Sequence, residues 1–187
     1  MSRAAEFAMR FRVRLGYPVA LVFLAFARPL QDSILIGGVI AMLGLCVRAA
    51  AAGHLRKHEQ LAIAGPYART RNPLYLGSAL MAAGFLVAGR FWVEEGWIAA
   101  VVVAAYFGYF YRAVMKREEG ELRARYGPVF DEYAAQVPLF LPRLGSKTAA
   151  SEGFSWAQYW RNREYQAALG VLGGMGALWA LMLVQGS

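Results

Sequence analysis

Between Ile34 and Gly53 the chain runs for 20 residues with one charge, Arg48. A helix of that length rises about 30 Å, the thickness of a bilayer's hydrocarbon core. Ala167–Val184 repeats the pattern with no charge at all. Three shorter apolar blocks accompany them, Val13–Ala27, Leu74–Ala88 and Gly96–Tyr111. Tyr, Trp and Arg at their ends extend them toward the headgroups. The blocks predict an all-α integral membrane helical bundle of about five transmembrane helices, with a polar region on the cytoplasmic side.

Composition narrows the alternatives. The chain is 58% apolar and 17% charged, whereas a soluble domain is about half apolar and about a quarter charged. Hydrophobicity this high excludes intrinsic disorder. Cys46 stands alone, which excludes a disulfide scaffold. Within its apolar block it reads as a small core hydrophobe.

The net charge is +8, from 20 basic and 12 acidic residues. Segments 1–14, 54–73 and 112–166 hold 17 of the 20 Lys and Arg, while the intervening loops hold only Arg28 and Arg90. This bias places the N-terminus and the polar segments in the cytoplasm and the C-terminus opposite. It points to membrane lipids rather than nucleic acid as partners. The Arg-rich first block has no cleavage site before a hydrophilic domain, so it reads as a helix rather than a signal peptide. Arg and Ala usage resembles that of high-GC bacteria, so the expected location is a bacterial inner (cytoplasmic) membrane. One domain spans residues 1–187. Residues 1–53 carry two helices, 54–143 a central core, and 144–187 a linker, an interfacial segment and the last helix.

Turn chemistry marks the boundaries. Gly65-Pro66 is a turn, and Asn72-Pro73 is a helix start, with Asn at the cap and Pro in the first turn. Helix N–H groups and Arg71 there form a ready site for a carboxylate or phosphate. Arg112–Ala135 has helical spacing that continues the fourth block, interrupted at Gly127-Pro128. Residues 145–153 read as a flexible linker. Phe154, Trp156, Tyr159 and Trp160, beside Arg161 and Arg163, read as an interfacial segment. Gly170, Gly173, Gly174 and Gly176 give the last helix a smooth packing face.

Arg112, Lys116, Arg117, Glu118, Glu119 and Glu121 read either as a solvated charged helix or as carboxylates that bind a cation or hydroxyls. His54 and His58 have i,i+4 spacing but no third ligand of matching type, and no metal site is expected. Arg48, costly in lipid, is expected to face the protein interior or a water-filled cavity.

Gly65-Pro66-Tyr67, Arg71-Asn72-Pro73-Leu74-Tyr75-Leu76-Gly77, Glu118-Glu119 and the stretch Tyr126–Tyr133 together resemble the isoprenylcysteine carboxyl methyltransferases. The wider group includes phospholipid N-methyltransferases. The likeness covers about residues 52–143. It implies methyl transfer from S-adenosyl-L-methionine, with S-adenosyl-L-homocysteine as product, to a lipophilic small molecule or lipidated substrate. An isoprenylcysteine-like carboxylate is the first choice of acceptor; an amine or thiol is the alternative. It implies that Gln60, Leu61 and Ala62 touch the cofactor through their backbone and that Tyr67 lines its pocket. Arg71, Asn72, Pro73 and Tyr75 would hold it at the helix start, and Glu118 and Glu119 would supply the acidic contact. Arg112 would face the substrate carboxylate and form, with Glu118, the catalytic pair. Two positions depart from the family pattern: Asn72 stands where many members have His, and Lys116 where some have Glu. Two other classes compete. An NADPH-dependent membrane reductase of the sterol-reductase type shares part of the pattern in longer chains. A non-enzymatic membrane scaffold would use the Gly-rich last helix.

Overall fold

The computed structural model describes residues 19–56, 59–90, 96–143 and 153–186. Residues 19–26 form α1. There follow α2 (Gln31–His54), a 3-10 turn (Gly65–Ala68), α3 (Pro73–Ala88) and α4 (Gly96–Tyr126). The chain ends in α5 (Pro128–Gln136), α6 (Trp156–Arg161) and α7 (Tyr165–Gln185). The described residues contain no strand.

The antiparallel pair α2–α3 is the backbone of the fold and its most extensive contact. Glycines make it possible. A Cβ on Gly44 would sit 2.6 Å from the Gly77 carbonyl oxygen, and one on Gly84 would sit 2.6 Å from that of Gly37. With hydrogen in place of side chains the two backbones approach closely, as in small-residue membrane helix pairs. At one end, Ala27, Ile34, Ala88 and Leu178 form a core with Phe23 and Phe85 against it. There Ser33 Oγ donates to the Ala88 carbonyl at 2.9 Å. The other end gathers the C-terminus of α2, the N-terminus of α3, α6 and the start of α7, and the site lies there.

Local signals explain the boundaries. α3 begins at Pro73, as the Asn72-Pro73 pair predicts. The Asn72 side chain does not cap it, however; Nδ2 donates to the Leu139 carbonyl at 3.0 Å. α4 continues well past its apolar half and stops at Gly127, whose φ of +52° is easy only for glycine. α5 then folds back and buries Phe130. Arg123 and Asp131 span the bend at 2.7 Å.

Among the described residues two helices, α2 and α7, are long and apolar enough to cross a membrane, and α3 is a shorter apolar helix. The five-span expectation is therefore met by two helices on length and apolarity. Part of the first block, the linker at 145–152 and His58 lie outside the described residues. Cys46 corrects its core assignment: it is exposed on the outer face of α2, beside the exposed Met42 and Leu43.

Candidate functional site

A cavity of about 710 Å³ opens between the C-terminal end of α2, the 60–75 segment, the charged half of α4 and α5. Its parts come from distant stretches, held together by the segment after α5. The Arg71 amide donates to the Pro138 carbonyl at 2.9 Å, and the Arg143 amide to the Arg69 carbonyl at 2.9 Å. Thr70, almost fully buried, donates to the Phe140 carbonyl at 2.8 Å. This clasp fixes the approach to α3, so that Arg71 and the start of α3 face the cavity.

Gln60, Leu61 and Ala62 form one wall; Tyr67 lies beside them in the 3-10 turn. Arg71, Asn72, Pro73 and Tyr75 line the helix start, and Glu118 and Glu119 face them from α4. Arg71 Nη1 lies 2.6 Å from Glu119 Oε1, off the hydrogen-bonding direction. The buried Arg71 Nε has no hydrogen-bond partner among the described residues. Tyr75 donates to Glu118 Oε1 at 2.8 Å. Arg112 is different: it is exposed and does not line the cavity. It precedes Glu119 by seven residues, about 10 Å along the helix.

The sequence reading missed several members of the site. Arg56, Arg125, Phe130 and Tyr133 also line it. Tyr133 donates to the Tyr67 carbonyl at 2.8 Å, tying α5 to the 3-10 turn. Arg48 reaches the cavity from within α2, as its position in an apolar block suggested. It forms an ion pair with Glu164, with Nη2 at 3.0 Å from Oε2. It also donates to the Leu74 carbonyl at 3.2 Å and to Ser78. Glu164, 6% exposed, carried no local sequence signal for this role.

Burial raises the Tyr67 hydroxyl above the ordinary tyrosine range, and the nearby Tyr133, Glu118 and Glu164 add to the effect while Arg48 opposes it. Tyr133 is raised as well, first by burial, with Arg71 opposing and Glu119 adding. Both stay protonated donors at neutral pH. The sign follows directly. The folded form holds its proton more tightly than the unfolded chain, so the contribution is full below about pH 10 and declines as pH rises through the tyrosine range. In an alkaline titration followed by tyrosinate absorbance, Tyr67→Phe should remove one late-ionising tyrosine. An unchanged late amplitude would contradict this assignment.

His54 Nδ1 lies 2.7 Å from the Ala50 carbonyl, one turn back in its own helix. Among the described residues no group of three or more His, Cys, Asp and Glu is placed to hold a metal ion.

Fold and site define a helical protein with membrane-type helices and a polar cavity at one end of its central helix pair. The chain is 32% identical over 157 residues to the cobalt-zinc-cadmium resistance protein CzcN of Cupriavidus metallidurans, covering 77% of this chain and 70% of that protein. It is 31% identical over 151 residues to the nickel-cobalt-cadmium resistance protein NccN of Alcaligenes xylosoxydans xylosoxydans, covering 74% and 68%. The chain belongs to the CzcN/NccN family. No protein-family model matches it, and no solved structure matches it significantly.

These relatives overturn the isoprenylcysteine methyltransferase resemblance, and with it the methyltransferase activity and S-adenosyl-L-methionine as cofactor. The structure shows why short motifs misled. Asn72, Arg71 and Tyr75 are engaged in holding the loop clasp and the α3–α4 junction. A helix start fastened to a neighbouring helix needs such residues whatever the cavity receives.

Proposed function

We propose that this chain is a membrane-embedded component of resistance to divalent transition metals, and that the cavity is its working site. The observation that carries the reading is the relationship to two proteins named for cobalt, zinc, cadmium and nickel resistance, extending over about two thirds of each. α2 and α7 cross the bilayer, with α1, α3 and the apolar half of α4 completing the bundle. The positive-inside bias supports a bacterial inner membrane with the cavity on the cytoplasmic side.

The side chains favour a small organic solute over a bare cation. Glu118 and Glu119, the carboxylates that a divalent ion would seek, already face Tyr75 and Arg71. Arg71 Nε and the N-terminal end of α3 remain as donors toward an acceptor group, beside Tyr67 in the cavity lining. Metal tolerance would then depend on occupation of this cavity rather than on coordination of the metal by it.

The test is growth of a metal-sensitive bacterial host carrying the full chain or an empty vector. Cobalt, zinc, cadmium and nickel are titrated separately. The expected result is a severalfold higher inhibitory concentration for at least one metal, with the protein in the membrane fraction. Equal sensitivity to all four, with the protein present in that fraction, would overturn the reading.

A further inference from the structure

The segment 153–164 is anchored to the end of α2 and turns an aromatic face outward. The Ser155 amide donates to the Gly53 carbonyl at 3.0 Å, and Asn162 Nδ2 donates to the Ala52 and Leu55 carbonyls, each at 2.9 Å. These bonds satisfy backbone acceptors that a helix end leaves open. The Phe154 ring packs on Gly53, where no Cβ would fit, and lies edge-on to His54 at 6.2 Å between ring centres.

The outer face is the reverse of what water selects. Trp156 is 66% exposed and Trp160 59%, one helical turn apart on the same side of α6. The rings form a ladder. Trp156 meets Phe154 at 4.9 Å and Tyr159 at 5.6 Å, and Trp160 meets Tyr159 at 5.7 Å and Tyr165 at 5.3 Å. Arg161 stands at the edge, paired with Glu59 at 2.7 Å. Only residues 162–164 separate α6 from α7, an apolar helix of 21 residues that buries Val171 and Leu178 and leaves exposed apolar side chains such as Leu169, Leu172 and Leu183 on its outer face.

We propose that the exposed aromatic face of α6 lies in the lipid headgroup layer and sets the depth of the protein in the bilayer. This rests on the reading that α7 crosses the membrane. Amphipathic indole and phenol rings settle at that level, with their apolar bodies toward the acyl chains and their polar tips toward water. A rigid ladder loses little side-chain freedom on insertion. The consequence is positional. α6 is fastened to the end of α2, and Leu55 and Arg56 just beyond that end line the cavity. The cavity mouth is thereby held at the lipid–water boundary, within reach of solutes from either phase.

The experiment uses the full chain reconstituted in phosphatidylcholine vesicles. In one variant, Trp92→Phe, Trp97→Phe and Trp179→Phe leave Trp156 and Trp160 as the fluorophores. In a second, only Trp179 is kept. Quenchers are lipids brominated near the headgroup, lipids brominated deep in the acyl chains, and aqueous iodide. Trp156 and Trp160 should be quenched most strongly by the shallow bromines and weakly by iodide. Strong iodide quenching with little effect of either lipid, or strongest quenching by the deep bromines, would overturn the proposal. Trp179, about 21 Å along α7 by helix rise, should respond to the deep bromines. If it does not, the spanning reading itself fails, and the two failures are thereby told apart.

Discussion

Glu164→Ala should destabilise the folded protein by about 3 kcal/mol, the lower end of what breaking a buried ion pair costs. Glu164 is 6% exposed and Arg48 22%. Removing the carboxylate leaves a guanidinium inside the helix bundle with Ser78 and the Leu74 carbonyl as its remaining partners among the described residues. Because Arg48 also lines the cavity, loss of α7's anchor and distortion of the site should appear together. The pair need not stabilise the fold relative to an apolar pair of similar volume. The double replacement Arg48→Met with Glu164→Leu should therefore be milder than either single change. Thermal unfolding in detergent of the two singles and the double gives the coupling directly. Additive losses would contradict the coupling.

Gly84→Leu should be at least as damaging, costing about 3 kcal/mol or more through overpacking. A Cβ there meets Ala41 N and Gly37 O, both at 2.6 Å, and these are backbone atoms that cannot swing aside. Gly38, one residue from Gly37 in α2, is the control. A Cβ on it meets nothing within 4 Å, so Gly38→Ala should be neutral or stabilise by up to about 1 kcal/mol through helix propensity. Equal effects at the two positions would show that close backbone approach does not hold α2 to α3.

Features that depend on neighbours in sequence were readable before the structure. Pro73 starts α3 and Gly127-Pro128 breaks the long fourth helix, because both act through local backbone preferences. Arg48 was legible as an inward-facing charge, because lipid would not tolerate it elsewhere. What could not be read is whatever rests on distance in the fold. Glu164 lies 116 residues from Arg48, and the clasp joins Thr70 to Phe140 across 70 residues. No period or cap encodes such partners. Asn72 was placed correctly at the cap position, yet its side chain turned so that Nδ2 donates to the Leu139 carbonyl, a buried acceptor that needs a donor, and Oδ1 does not accept from the helix N–H groups.

The functional misreading has a different origin. The loop, helix start and paired carboxylates were expected to converge, and they do line one cavity. Convergence shows a site and leaves its ligand open. Arg112, assigned by motif order to the substrate, lies exposed on α4 and is not among the residues that line the cavity. Family membership, not motif spacing, redirected the functional reading toward metal resistance.

The most direct test of the central claim is metal tolerance conferred by Tyr67→Phe and Arg71→Ala, with membrane abundance and thermal stability measured beside it. Tyr67→Phe keeps the buried ring and removes only the hydroxyl, and Arg71→Ala removes the cation at the helix start. If the cavity is the working site, both variants should lose most of the protection per unit of protein in the membrane, Tyr67→Phe at normal abundance and Arg71→Ala at an abundance lowered by the loss of its pair with Glu119. Full protection by both variants would contradict a role for the cavity in resistance.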